Sequence, residues 1–164
     1  MKQNSGITFE SANSSLSETD YKLIADINAR AETAGYTPFI KAVGKKPDNY
    51  KIEYKKAKSP DALFVLRILG KKWSLRCKLH HIGEYAAMLD ELSEPVRRGL
   101  LSSKKCRNDT GRCKGPVMFV TGGEKYSLCR HCMQFHDVAA IDIPAVWRLI
   151  EAESLYTTRV KEGD

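Results

Sequence analysis

The chain has 164 residues, 42% of them hydrophobic, with 27 Lys and Arg against 20 Asp and Glu, a formal charge of +7 and five cysteines. That length suits one domain with a real core and flexible ends, and the basic excess falls well short of a histone-like balance. No run approaches the ~20 apolar residues of a membrane span, and the start lacks an apolar segment of signal-peptide length. The expectation is therefore a cytoplasmic protein with no membrane partner.

Residues 1–15 are rich in Ser, Asn and Gly without periodicity and read as a flexible tail. Structure is expected from Leu16, with a single domain over 16–158 and a short C-terminal tail at 159–164. Ser17 is a good N-cap with Asp20 three residues on, and Leu16 and Tyr21 stand at the staple positions. Tyr21, Ile24, Ala31 and Ala34 fall near one helical stripe, with Ile27 at its edge and Gly35 as the stop.

The segment from Asn49 to Ile82 reads as a three-stranded antiparallel meander. Tyr50, Ile52 and Tyr54 alternate with Lys51, Glu53 and Lys55. "LFVLRIL" is apolar on both faces except at Arg67, which suits a central strand. Trp73, Leu75, Cys77 and Leu79 then share one parity, so Cys77 reads as a core cysteine. His80 and His81 are adjacent, and strand neighbours point to opposite faces, which argues against a shared metal.

"GEYAAMLDELSEPVRRGLL" carries Tyr85, Met88, Leu89 and Leu92 at helical spacing, with "SEP" ending one helix and starting another. "PVMFV" and "KYSLC" are short strands around the glycine turn "TGGE". A last helix starts at Pro144 and buries Val146, Leu149, Ile150 and Leu155, with Trp147 adding area. The fold class is α+β, an antiparallel meander flanked by helices in the order α-β-β-β-α-β-β-α, with a cysteine-rich hairpin over 104–136.

That hairpin holds the only constellation with metal-ligand spacing. Cys129 and Cys132 form a C-x-x-C pair, and Cys106 and Cys113 are separated by six residues that include the turn chemistry of "NDTG". Tetrahedral zinc takes four such thiolates, and a C-x-x-C turn aims two sulfurs at one point. Lys105, Arg107, Arg112, Lys114 and Arg130 surround them, which favours thiolate over thiol. The expected cofactor is a structural Zn²⁺ held by Cys106, Cys113, Cys129 and Cys132. Free thiols in a loop-rich surface, or one disulfide, are the plainer alternative. His136 is a substitute ligand, His131 is expected to point away, and Asp109 is a poor partner for soft thiolates.

In outline Cys106 to Cys132 resembles a zinc ribbon or treble-clef knuckle, departing from it at the wide first pair. In size, element order and late cysteine-rich hairpin the whole chain is similar to small α+β domain proteins of Firmicutes-type bacteria. The resemblance implies a compact domain without naming a substrate.

No phosphate-binding, dinucleotide-binding, zincin, nucleophile-elbow or zinc-deaminase motif is present. Four cysteine ligands leave no open metal position for water, so such a site is structural and no catalytic residue is expected. The reading is a non-enzymatic, zinc-stabilised module for an unknown small-molecule or protein ligand, of undetermined oligomeric state. One alternative is nucleic-acid binding. From Lys41 to Lys114 there are 19 basic residues against 8 acidic, and the remainder holds 8 against 12. Lys41, Lys45, Lys46, Lys51, Lys55, Lys56, Lys58, Lys71 and Lys72 interleave with Tyr50, Tyr54 and Trp73, the mixture that stacking plus phosphate contact needs. A solvated lysine face is the plainer reading of the same run. The second alternative is thiol redox chemistry at Cys129 and Cys132.

Overall fold

The computed structural model describes residues 6–57, 59, 61–103, 115–130 and 133–162, with side chains described to residue 158. The protein is α+β, and the chain divides into two compact units, Met1–Leu75 and Arg76–Asp164.

The first unit opens with α1, Phe9–Asn13, inside the stretch expected to be a tail. Thr8 and Ser11 cap it reciprocally, each side chain accepting the other's backbone N–H at 3.1 Å. Helix α2 runs Glu18–Thr33, and the Ser17 hydroxyl accepts from the Asp20 amide at 3.1 Å, as the cap pattern predicts. Ile24, Ile27 and Ala31 are buried along one face, whereas Ala34 is exposed past the helix end. Gly35 then adopts φ +79°, a left-handed conformation open to glycine without a Cβ penalty.

Four strands follow: β1 Tyr36–Ala42, β2 Asn49–Lys56, β3 Phe64–Leu69 and β4 Lys72–Cys77. The last three are the expected meander. Strand β1 was not among the expected elements. The structure accommodates Pro38 on the edge strand of the sheet, where a missing donor need not break a ladder. Ile52, Tyr54, Phe64, Leu66 and Ile68 are buried, and Tyr54 stacks on Phe64 at 4.5 Å between ring centroids.

The five-stranded antiparallel sheet has the order β1–β2–β3–β4–β7, with β7 spanning Met133–Phe135. At three residues, β7 is too short to leave a periodic signal in the sequence. In the second unit, the helix expected over Tyr85 to Leu92 is instead two 3-10 turns, Ile82–Glu84 and Ala86–Glu91. Leu92 is extended, so the α-helix starts afresh as α3, Glu94–Leu101. Tyr85, Leu89 and Leu92 are nevertheless buried, as their spacing implies.

Strands β5 Pro116–Thr121 and β6 Glu124–Cys129 form a separate two-stranded hairpin. Gly122 and Gly123 turn it with φ +57° and +80°, the backbone of a type I′ loop. After a 3-10 turn at Ala140–Asp142, α4 spans Ile143–Glu162. Val146, Leu149 and Ile150 are buried, but Leu155 is 61% exposed. It stands five residues past Ile150, roughly 140° around the helix from that stripe. The observed order of α-helices and strands is therefore α-α-β-β-β-β-α-β-β-β-α, richer than the expected one by α1, β1 and β7.

Candidate functional site

Of the four expected metal ligands, Cys106, Cys113 and Cys132 lie outside the described residues, as do Asp109 and His131. Cys129 is described, buried at the last position of β6 and not in a disulfide. The register pairs Pro116 with Cys129, Val117 with Leu128 and so on to Thr121 with Glu124. The Arg130 guanidinium donates to the Gly115 carbonyl at 3.1 Å, holding the two strands together at the same end. Cys113 precedes Pro116 by three residues, and Cys132 follows Cys129 by three. Three residues of chain reach ~10 Å at most. His136 is exposed. Among the described residues no group of three or more His, Cys, Asp or Glu side chains is placed to hold a metal.

At the other end of this hairpin is an open groove of about 420 Å³ lined by α3 and the turn, with Glu94, Arg97, Arg98, Thr121, Glu124 and Tyr126 among its walls. Arg97 bridges Asp90 at 3.0 Å and Glu94 at 2.7 Å, and Arg98 reaches Glu94 at 3.1 Å. The hydrogen bonds from Arg97 and Arg98 hold the Glu94 carboxyl below its ordinary range. The Tyr126 hydroxyl donates to Glu124 at 2.9 Å, and that bond raises the phenol above its usual value. Along β6, Cys129 stands three residues from Tyr126 and five from Glu124, ~10 and ~16 Å of strand.

A second polar centre lies inside the Arg76–Asp164 unit. Glu153, on α4, is 1% exposed. Its Oε2 accepts from the His81 amide at 3.0 Å and from the Tyr85 hydroxyl at 2.5 Å. His81 Nδ1 lies 2.9 Å from Oε1, and Thr157 adds a longer bond at 3.3 Å. The Tyr156 ring stacks on His81 at 5.9 Å. Burial, with the Glu153 carboxylate nearby, pushes both the Tyr85 phenol and the fully buried Cys77 thiol far above their usual ranges. Cys77 is thus the core cysteine that its strand parity implied. The His80 and His81 ring centroids are 6.5 Å apart, and His81 Nδ1 is turned to Glu153. The sequence did hold one signal for this centre. Glu153 sits three residues after Ile150 on the buried stripe of α4, and a carboxylate there needs partners.

Asp142 is a second buried carboxylate, and its role is architectural. It accepts from the Ser93 amide at 2.8 Å and the Ala139 amide at 3.1 Å, capping the start of α3 and the turn before α4.

Of the aromatic members of the expected nucleic-acid surface, Tyr54 is withdrawn into the core, whereas Tyr50 and Trp73 are half-buried. Tyr54 is fully buried, and its hydroxyl donates to Asn28 at 2.9 Å. The Trp73 indole N–H donates to Asp20 at 2.9 Å. Lys41 and Lys51 both pair with Glu53, at 2.9 and 2.8 Å. Lys58 lies outside the described residues.

No helix among the described residues is long and apolar enough to cross a membrane. No protein-family model matches the chain, and neither a curated protein nor a solved structure matches it.

Proposed function

We propose that the chain is a non-enzymatic binding module in which Cys106, Cys113, Cys129 and Cys132 hold a structural Zn²⁺, and in which the α3–hairpin groove receives the ligand. One observation carries the metal part. The β5–β6 register places Pro116 opposite Cys129, so both cysteine-bearing flanks leave the hairpin at one end. Three-residue tethers on each side are short enough for Cys113 and Cys132 to meet there. The Arg130 to Gly115 hydrogen bond supports the same closure.

The groove supports the ligand part. Its charged side chains of both signs suit a polar or zwitterionic small molecule, or a mixed-charge loop of a protein partner, better than an apolar ligand. Zinc analysis of protein produced with zinc supplied tests the proposal. About one equivalent, lost together with the folded hairpin on chelation, is the expected result. Less than half an equivalent overturns the four-cysteine site.

A further inference from the structure

We propose that the outer face of β1–β3 is a binding platform for the phosphate backbone of single-stranded nucleic acid. This does not depend on zinc or on the groove, since every residue involved lies within Met1–Leu75.

Ile52 and Tyr54 are buried, so the alternation of β2 puts Lys51, Glu53 and Lys55 on the opposite face. The register then sets Lys41 of β1 opposite Lys51, and Lys51 opposite Arg67 of β3. Three cations therefore form a row across three adjacent strands, with ~4.8 Å between strands. Like charges directly opposite each other weaken a sheet. This row is therefore a cost to folding, only part-relieved by Glu53, which bridges Lys41 and Lys51.

The same end of the sheet gathers more positive charge. The Gly70 amide donates to the Asp48 carbonyl at 3.1 Å and to Asn49 Oδ1 at 3.2 Å. Those bonds tie the β1–β2 loop to the β3–β4 turn, bringing the exposed Lys45 and Lys46 toward the exposed Lys71 and Lys72. Among the described residues none of these four lysines, nor Arg67, is in an ion pair. Seven cations gather at this end of the sheet, with Asp48 and Glu53 beside them and Asp20 held at Trp73. A polyanion that replaces the missing counter-charge is the complementary partner.

Phe39 selects the kind of polyanion. It stands opposite Glu53 on this face, 38% exposed, with the Lys55 ammonium 5.6 Å from its ring centroid. A sheet face bearing an exposed ring beside a cation row can stack an unpaired base while it holds the backbone. A duplex keeps its bases stacked inside and has no use for the ring.

The test is fluorescence anisotropy of the full chain with a fluorescein-labelled 20-nucleotide oligo-dT, at 50 and 200 mM salt. Binding is expected to weaken with salt, with a log–log slope of about −2 to −3.5 for three to five neutralised phosphates. The triple substitution Lys41→Ala, Lys51→Ala, Arg67→Ala should weaken it about tenfold or more. Lys125→Ala on the second hairpin should leave it unchanged. Glu53→Gln should tighten binding about threefold, because it removes the competing carboxylate. That gain of affinity keeps the proposal testable if the triple variant folds poorly. No binding at 50 mM salt, or a Glu53→Gln variant that binds no tighter, overturns it. So does equal affinity for duplex DNA with Phe39→Ala silent. Binding to vesicles containing phosphatidylserine but not to the oligonucleotide would assign the face to lipid instead.

Discussion

The Glu153 carboxylate and the His81 imidazole meet 2.9 Å apart inside the second unit, with Glu153 almost wholly buried and His81 partly open to solvent. The His81 backbone amide and the Tyr85 hydroxyl converge on the same carboxylate. Hydrogen bonds to a buried charge are worth more than neutral ones, and a partner left alone bears a desolvation penalty. Glu153→Ala is therefore expected to lower the unfolding free energy by about 3 kcal/mol, measured by urea denaturation. His81→Ala and Tyr85→Phe should be milder and coupled. A double-mutant cycle giving strict additivity would show that the two donors do not share one acceptor.

The buried acids set an alkaline limit. Burial raises the Tyr85, Tyr54 and Cys77 groups, so the folded state keeps them neutral. The unfolded chain ionises Cys near ~8.5 and Tyr near ~10. Their stabilising contribution is complete below those values and is lost as pH rises beyond them, because only the unfolded state then releases protons. The urea midpoint is expected to fall steadily above pH 8.5. Tyr85→Phe should reduce the steepness of that fall above pH 10, and an unchanged slope would mean Tyr85 ionises freely in the folded protein.

Two cysteines should destabilise the protein by very different amounts when replaced. Cys77 packs in the core, and Cys77→Ser puts a hydroxyl there at a cost of about 1–3 kcal/mol. Cys132→Ser removes one proposed zinc ligand and should lower the thermal midpoint by much more, since metal binding is coupled to folding. Midpoint shifts of equal, small size by calorimetry would count against a metal at the hairpin.

The β5–β6 turn depends on two glycines at positive φ. Gly123→Val places a β-branched residue at φ +80° and should cost about 2 kcal/mol or more. Gly122→Asn, at φ +57°, should be nearly neutral, because Asn tolerates the left-handed region. Two equal losses in thermal stability would mean that the turn tolerates no Cβ for some other reason.

At the sheet face, Glu53 is the acid to watch. Burial alone would raise its carboxyl, but hydrogen bonds from Lys51 and Lys41 outweigh that effect and hold it below its ordinary value. Acidification through that lowered range should protonate Glu53 and leave Lys41, Lys51 and Arg67 without their bridging anion. Stability should fall there in the parent protein and less so in Glu53→Gln, as followed by circular dichroism at low pH.

The amino-acid order alone determined the elements with strong local signals. Ser17 and Gly35 bound α2, period-two alternation marked β2 and β4, and the glycine pair marked the second hairpin. Each of those features depends on residues a few positions apart. Strand parity likewise put Cys77 in the core. The C-x-x-C spacing was equally legible, although three of the four cysteines lie outside the described residues. Tertiary structure decided the rest. Strand β1 carries Pro38 at the sheet edge, and its register with β2 sets Phe39 beside Glu53. Nothing local foretells that Lys41, Lys51 and Arg67 line up, because register is a property of three strands together. Nor does any local pattern join His81 to Glu153, 72 residues later. A buried carboxylate must find its donors wherever packing brings them, and only the folded chain sets that distance.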